Sequence, residues 1–200
     1  NFASLLQEVA QTGIPRIRFT TSHPWDFSDE MIDVIAKYEN IMPAIHLPVQ
    51  SGNDDVLKRM GRRYSREQYL RLFDKIKEKI PDCTITTDII VGFPGETEEE
   101  FKETIDFAKK IAFFEIHVFK YSKRKGTKAA AMAGQLLEGI KAERSQRLLA
   151  VEEKLSREYR QGFIGKKVEI LIEETTEIGG VSYHVGHTGE YIQVAIQTAE

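Results

Sequence analysis

The 200-residue chain has one cysteine, Cys83, one tryptophan and six prolines. A single thiol excludes a disulfide framework and any cluster held by several thiolates of this sequence. Cys83 itself reads as a small buried residue beside a strand. Neither sign of charge dominates: the formal net charge is −3. Bulk attraction to a polyanion is thereby excluded, and any nucleic-acid surface must be a local patch. There is no leader-like segment and no long uncharged apolar run, so the expectation is a soluble, cytoplasmic, monomeric protein without membrane association. The 41% hydrophobic and 30% charged residues suffice for one good core or a core plus a small module.

What is present is an alternation of apolar runs and amphipathic stretches. Phe2, Leu5, Leu6 and Val9 begin a helical pattern at once, the remainder of a helix over residues 1–11. The spacing predicts strands at Arg16–Ser22, Ala44–Gln50, Thr84–Val91 and Glu115–Tyr121. Between them it predicts helices at Ser28–Tyr38, Asp54–Met60, Ser65–Ile80 and Thr97–Lys110. Ser28 is an N-cap, and Ser65/Gln68 and Thr97/Glu100 are capping boxes. Strands alternating with helices imply a parallel α/β sheet, too few strands to close a barrel and so part of one. After Tyr121 the character changes. Ser122–Lys128 is a basic loop, Ala129–Gly134 is small and flexible, and Glu138–Gln161 is a charged helix with a narrow stripe of Leu148, Val151, Leu155 and Tyr159. Strand patterns at Lys166–Ile172, Val181–Val185 and Tyr191–Ile196, with a turn at Gly179-Gly180, make a small antiparallel β module beyond a boundary near residue 162.

Two strands end in small polar residues and glycines, which leave backbone N–H groups free at the rim of a parallel sheet. At Gln50-Ser51-Gly52, the Gln amide can bond a ligand's polar edge, and the Ser and Gly N–H groups can take a carboxylate or ribose. An ordinary strand-to-helix turn uses the same residues. Asp88 is a carboxylate inside an apolar strand, costly unless partnered; it either faces the barrel interior or is satisfied by Thr86 and Thr87. The loop Gly92-Phe93-Pro94-Gly95-Glu96 can lay backbone and an aromatic face against an adenine, or simply cap a helix. Arg62 and Arg63 suit carboxylate or phosphate at a site rim, or are solvated surface charge. Lys120, Lys123, Arg124, Lys125 and Lys128 crowd around Tyr121, a pattern that fits phosphate contact with stacking nearby as well as a solvated loop. The pair His184 and His187 lacks a third ligand, so no metal site is assigned. His46 and His117 read as satisfied core or rim residues, and His23, before Pro24, can line the site.

Taken together, RIRFTTSHPWDF, IHLPVQSGNDDVLKRMGRRY, TTDIIVGFPGETEEEF and YSKRKGTKAA resemble the radical S-adenosylmethionine methylthiotransferases, over nearly the whole chain and in order. The resemblance implies an α/β fold: residues 1–134 as the C-terminal part of a radical-SAM partial TIM barrel, 135–162 as a connecting helix, and 163–200 as an incomplete TRAM-like antiparallel β module. It implies that Gln50, Ser51, Gly52 and Asp88, with Gly92, Phe93, Pro94, Gly95 and Glu96, bind S-adenosylmethionine, and that Arg62 and Arg63 lie nearby. It implies tRNA as partner, with Lys123, Arg124, Lys125 and Lys128 facing the RNA. The activity implied is methylthio transfer to a modified adenosine beside the anticodon. Residues 1–101 look like the isopentenyladenosine branch. The stretch from Phe114 and the β module look like the threonylcarbamoyladenosine branch, and a ribosomal-protein-modifying branch is a weaker likeness. The family's [4Fe-4S] clusters are held by a C-x-x-x-C-x-x-C motif and three further cysteines, none present here. The expectation is therefore a C-terminal fragment of such an enzyme that cannot cleave S-adenosylmethionine reductively alone, with a non-catalytic RNA-binding fragment as the alternative.

Overall fold

The computed structural model describes residues 1–20 and 23–198. Helices α1 (Phe2–Gln11) and α2 (Asp29–Lys37) lead into β1 (Ala44–His46), α3 (Asp54–Arg59), α4 (Arg66–Lys79), β2 (Thr84–Val91), α5 (Glu98–Ile111) and β3 (Glu115–Lys120). Short α6 (Lys128–Ala131) and long α7 (Glu138–Gln161) follow, then β4 (Leu171–Ile178), β5 (Val181–His187) and β6 (Gln193–Gln197). The first three strands form a parallel sheet in chain order, and the last three an antiparallel sheet, also in chain order.

The helices start where the capping chemistry says. Ser28 accepts the Met31 N–H, and both the Ser65/Gln68 and Thr97/Glu100 boxes are closed. In β2 the alternation puts Ile85, Thr87, Ile89 and Val91 under the helices, with Tyr69, Phe101, Phe107 and Phe113 filling the layer between. Thr86, Asp88 and Ile90 point to the opposite, concave face and are half-buried. Helix α7 is more than a surface connector: Lys141, Arg144, Leu148, Leu155 and Ser156 are buried.

Three strand boundaries differ from expectation, each for a backbone reason. The strand expected at Arg16–Ser22 is a single bridge, Ile17 to Ile41, because the next donor, the Ala44 N–H, turns back to Met42 O of its own chain; Thr21 and Ser22 lie outside the described residues. The strand expected through Gln50 pauses after His46: Leu47 N–H still reaches Thr86 O, but the next donor, the Val49 N–H, goes to the Thr87 hydroxyl, and pairing returns one residue late as a bridge at Gln50 and Ile89. In the second sheet the first strand runs over Leu171–Ile178 rather than Lys166–Ile172, because its partner β5 ends at His187, opposite Leu171. The Gly179-Gly180 turn stands as expected, with positive φ at both glycines.

The second sheet meets the first at the N-terminal ends of the parallel strands. Arg16 donates to His187 O at 2.9 Å and pairs with Glu169 at 3.0 Å, and the Arg18 guanidinium lies 3.2 Å from the Tyr191 ring centre. The loops that follow β1, β2 and β3 all lie at the other end.

Candidate functional site

The C-terminal tips of the parallel strands are brought together by interlocking bonds. Gln50 donates its N–H to Asp88 O at 2.8 Å and accepts the Ile90 N–H at 2.9 Å. The two strand ends expected to share a ligand are therefore adjacent. Gln50 adopts φ +69, a left-handed conformation that costs a non-glycine residue about 1–2 kcal/mol. Backbone strain of this kind is found more often at functional sites than elsewhere.

Behind Gln50, Ser51 is buried: its hydroxyl is 3.2 Å from that of Thr104 and accepts the Asn53 N–H. A Cβ on Gly52 would lie 2.6 Å from Phe107 Cβ, so glycine lets this turn seat on α5. These two residues hold the turn, and Gln50 is the one presented.

The loop Gly92–Glu96 is gripped from below. Glu96, whose side chain is 1% exposed, accepts the Gly92 N–H at 2.7 Å and pairs with Arg144, 5% exposed, at 2.7 Å. Burial, the largest influence, pushes the Glu96 carboxyl above its ordinary value despite the guanidinium and the amide. Lys141 runs under Gly92, where any Cβ would meet its chain, and donates to Tyr121 O at 3.0 Å. Gly95 N–H donates to Gly134 O, and Arg59, paired with Glu100, reaches Gly95 O. Phe93 is buried edge-on against Tyr121, with ring centres 5.2 Å apart, rather than laid open as an aromatic face. Pro94 is buried beside it.

Arg62 stands 2.7 Å from His23 Nε2, and His23 stacks on Trp25 and meets Tyr64 edge-on. Tyr64 donates to Val49 O at 2.9 Å, which ties this group to the residue before Gln50. Burial first, and Arg62 second, hold His23 below its ordinary value, so the ring is neutral at pH 7. Arg63 instead faces Trp25 at 5.5 Å. Among the described residues, His23 Nδ1, Arg62 Nε and Tyr121 Oη, the last beside Phe93, are among the buried polar atoms without a partner. Orphans of this kind are what a polar ligand satisfies. Lys123, Arg124, Lys125 and Lys128 are all exposed at the same end.

The Radical SAM superfamily model matches residues 1–108. The chain belongs to the radical SAM superfamily. Among curated relatives, this radical SAM chain is 53% identical over 173 residues to the tRNA-2-methylthio-N(6)-dimethylallyladenosine synthase of Caldicellulosiruptor saccharolyticus, covering 86% of the chain and 37% of that protein. The protein of the same name from Bacillus subtilis is 49% identical over 169 residues, 84% of the chain and 33% of the relative. The chain thus spans about a third of the length of the relatives it matches. Coproporphyrinogen III oxidase from Escherichia coli, a radical SAM enzyme, shares the fold at TM-score 0.61 and 13% identity, over 94% of this chain and 51% of that one. The archaeal Elp3 of Methanocaldococcus infernus aligns at TM-score 0.52 and 13% identity, over 84% and 52%.

A radical SAM iron–sulfur cluster needs thiolates, and the residues present do not fit it. The one thiol, Cys83, is 1% exposed, and burial pushes it up to about 12. At the strand tips, the unmatched polar atoms and the half-buried Gln50 amide are hydrogen-bond donors and acceptors of the kind an adenosyl group uses. Several of these residues were not legible in advance. Arg59, Lys141 and Arg144 come from helices remote in sequence, and only their positions in the fold show that they hold the loop.

Proposed function

We propose that this chain is the S-adenosylmethionine-cradling and RNA-docking portion of a tRNA methylthiotransferase acting on a dimethylallyl (isopentenyl) adenosine beside the anticodon. The observation that carries the reading is identity near 50% to relatives of that name over most of the chain. Bound S-adenosylmethionine supplies the radical chemistry, and the residues of this chain hold and orient it. Gln50 is aimed by its strained backbone, Glu96 keeps the Gly92–Glu96 loop folded, and His23 and Arg62 wall one side. Asp88 sits one residue pair below the tip. We assign Lys123, Arg124, Lys125 and Lys128 to the RNA phosphates, since four exposed cations on the loop after β3 and the first residue of α6, beside the strand tips, match a polyanion better than any other partner. We assign the second sheet to a TRAM-like module. It lies at the opposite end of the strands, about 26 Å away along the eight residues of β2, so an RNA touching both would span the sheet.

An anticodon stem-loop carrying isopentenyladenosine tests the docking claim. Its affinity should fall with salt at a log–log slope of about −3, as four phosphate contacts require. Changing all four cations to alanine should flatten the slope and weaken binding roughly tenfold or more at low salt. A stem-loop with threonylcarbamoyladenosine should bind less tightly. No binding at low salt, or a slope unchanged in the fourfold variant, would overturn this assignment.

A further inference from the structure

The concave face of the parallel sheet carries a cluster that the strand tips do not use. His46 on β1, Asp88 on β2 and His117 on β3 stand on three adjacent strands, and one potential ligand atom from each lies within 4.8 Å of the others. Asp88 and His117 are register partners. His46 Nε2 is 3.3 Å from Asp88 Oδ1, close to the edge of about 3.0–3.4 Å between ligands bonded to one ion at about 2.1 Å. The other His46 nitrogen, Nδ1, is 2.9 Å from Thr86 Oγ1. That contact orients the ring; in the tautomer whose Nδ1–H donates to the Thr86 hydroxyl, the Nε2 lone pair faces the cluster, the outer contact that metal-bound histidines use.

We propose that His46, Asp88 and His117 bind one divalent transition-metal ion through two imidazoles and one carboxylate. Borderline nitrogen donors select zinc, cobalt, nickel or ferrous iron over calcium or magnesium. The three ligands approach from one side, the sheet face, and leave the side toward the hollow open to water or a substrate oxygen. His46 and His117 line an open hollow of about 300 Å3 that Arg18 and Tyr191 also line. The charged groups facing it are Arg18, engaged with the Tyr191 ring, and Glu115. The other paired histidines have different partners: His184 bonds Thr175, while His187 bonds Glu173 and stacks on Tyr191.

Anaerobic Co2+ titration of the 200-residue chain tests the proposal, with visible absorption as the readout. One equivalent should bind, and His117→Ala, Asp88→Asn and His46→Ala should each weaken it roughly tenfold or more. A double His184→Ala, His187→Ala variant should titrate like the parent. His117 is exposed, so its replacement leaves packing intact, and far-ultraviolet circular dichroism verifies this. In the unaltered chain, paramagnetic broadening of imidazole signals should be confined to His46 and His117. Absent stoichiometric binding, binding insensitive to His117→Ala, or broadening centred on His184 and His187 would overturn it. Loss of S-adenosylmethionine binding with Co2+ binding intact would instead count against the strand-tip cradle alone.

Discussion

Replacing Arg144 by methionine should lower the unfolding free energy by about 3–5 kcal/mol at pH 7.5, read as a shift in denaturant midpoint. The cost comes from what is left behind. Glu96 would keep its charge in a site where its side chain is 1% exposed, with only the Gly92 N–H to compensate. The carboxyl is already raised by burial, and losing the guanidinium raises it further. A carboxyl whose folded value lies above its unfolded value binds more protons in the native state, so stability falls as pH rises between the two values. The penalty should therefore be smaller at pH 5 than at pH 7.5. Adding Glu96→Gln removes the stranded charge and keeps an acceptor for Gly92, so the double variant should recover most of the loss. Equal penalties at both pH values, or no recovery, would show that Arg144 acts through its other contacts, the Glu96 main-chain carbonyl, Glu98 and the Phe101 ring, rather than through the Glu96 carboxylate.

Thr87→Val should cost about 2–3 kcal/mol although it keeps nearly the same shape. The hydroxyl is fully buried and does two jobs where the ladder is interrupted: it donates to Leu47 O and accepts the Val49 N–H, both at 2.9 Å. Leu47 O keeps a second donor in the Tyr69 hydroxyl at 2.7 Å, but the Val49 N–H loses its partner. Thr87→Ser retains both bonds and should cost only about 1 kcal/mol for the lost methyl. Because Val49 precedes Gln50, the valine variant should also weaken ligand binding at the strand tip, whereas the serine variant should not. Chemical denaturation of the pair, with hydrogen exchange at Val49, checks both.

Much of the fold was legible because its signals are local. Ser28, Ser65 and Thr97 announce helix starts through side-chain bonds within a few residues, and the period-two pattern of Thr84–Val91 needs only one buried face. Strand ends were less legible because they depend on a partner. Ala44 turning back on Met42, the Val49 N–H leaving the ladder for Thr87 and β5 ending at His187 are facts about pairing. At the site, Gln50 and the Gly92–Glu96 loop stood out as strand tips. Ser51, Gly52 and Glu96 share that motif yet point inward to hold it. The grouping of His46 with Asp88 and His117 could not be seen in sequence, since only the register of three strands brings them together.

Two-dimensional 15N NMR of the chain titrated with S-adenosylmethionine bears most directly on the strand-tip cradle. Shifts should cluster at the amides of Gln50, Asp88, Gly92, Phe93, Gly95 and Tyr121. Gln50→Gly tolerates φ +69 without loss of fold, and it should weaken the response roughly tenfold or more. Saturating shifts elsewhere, or a response unchanged in Gln50→Gly, would contradict the account.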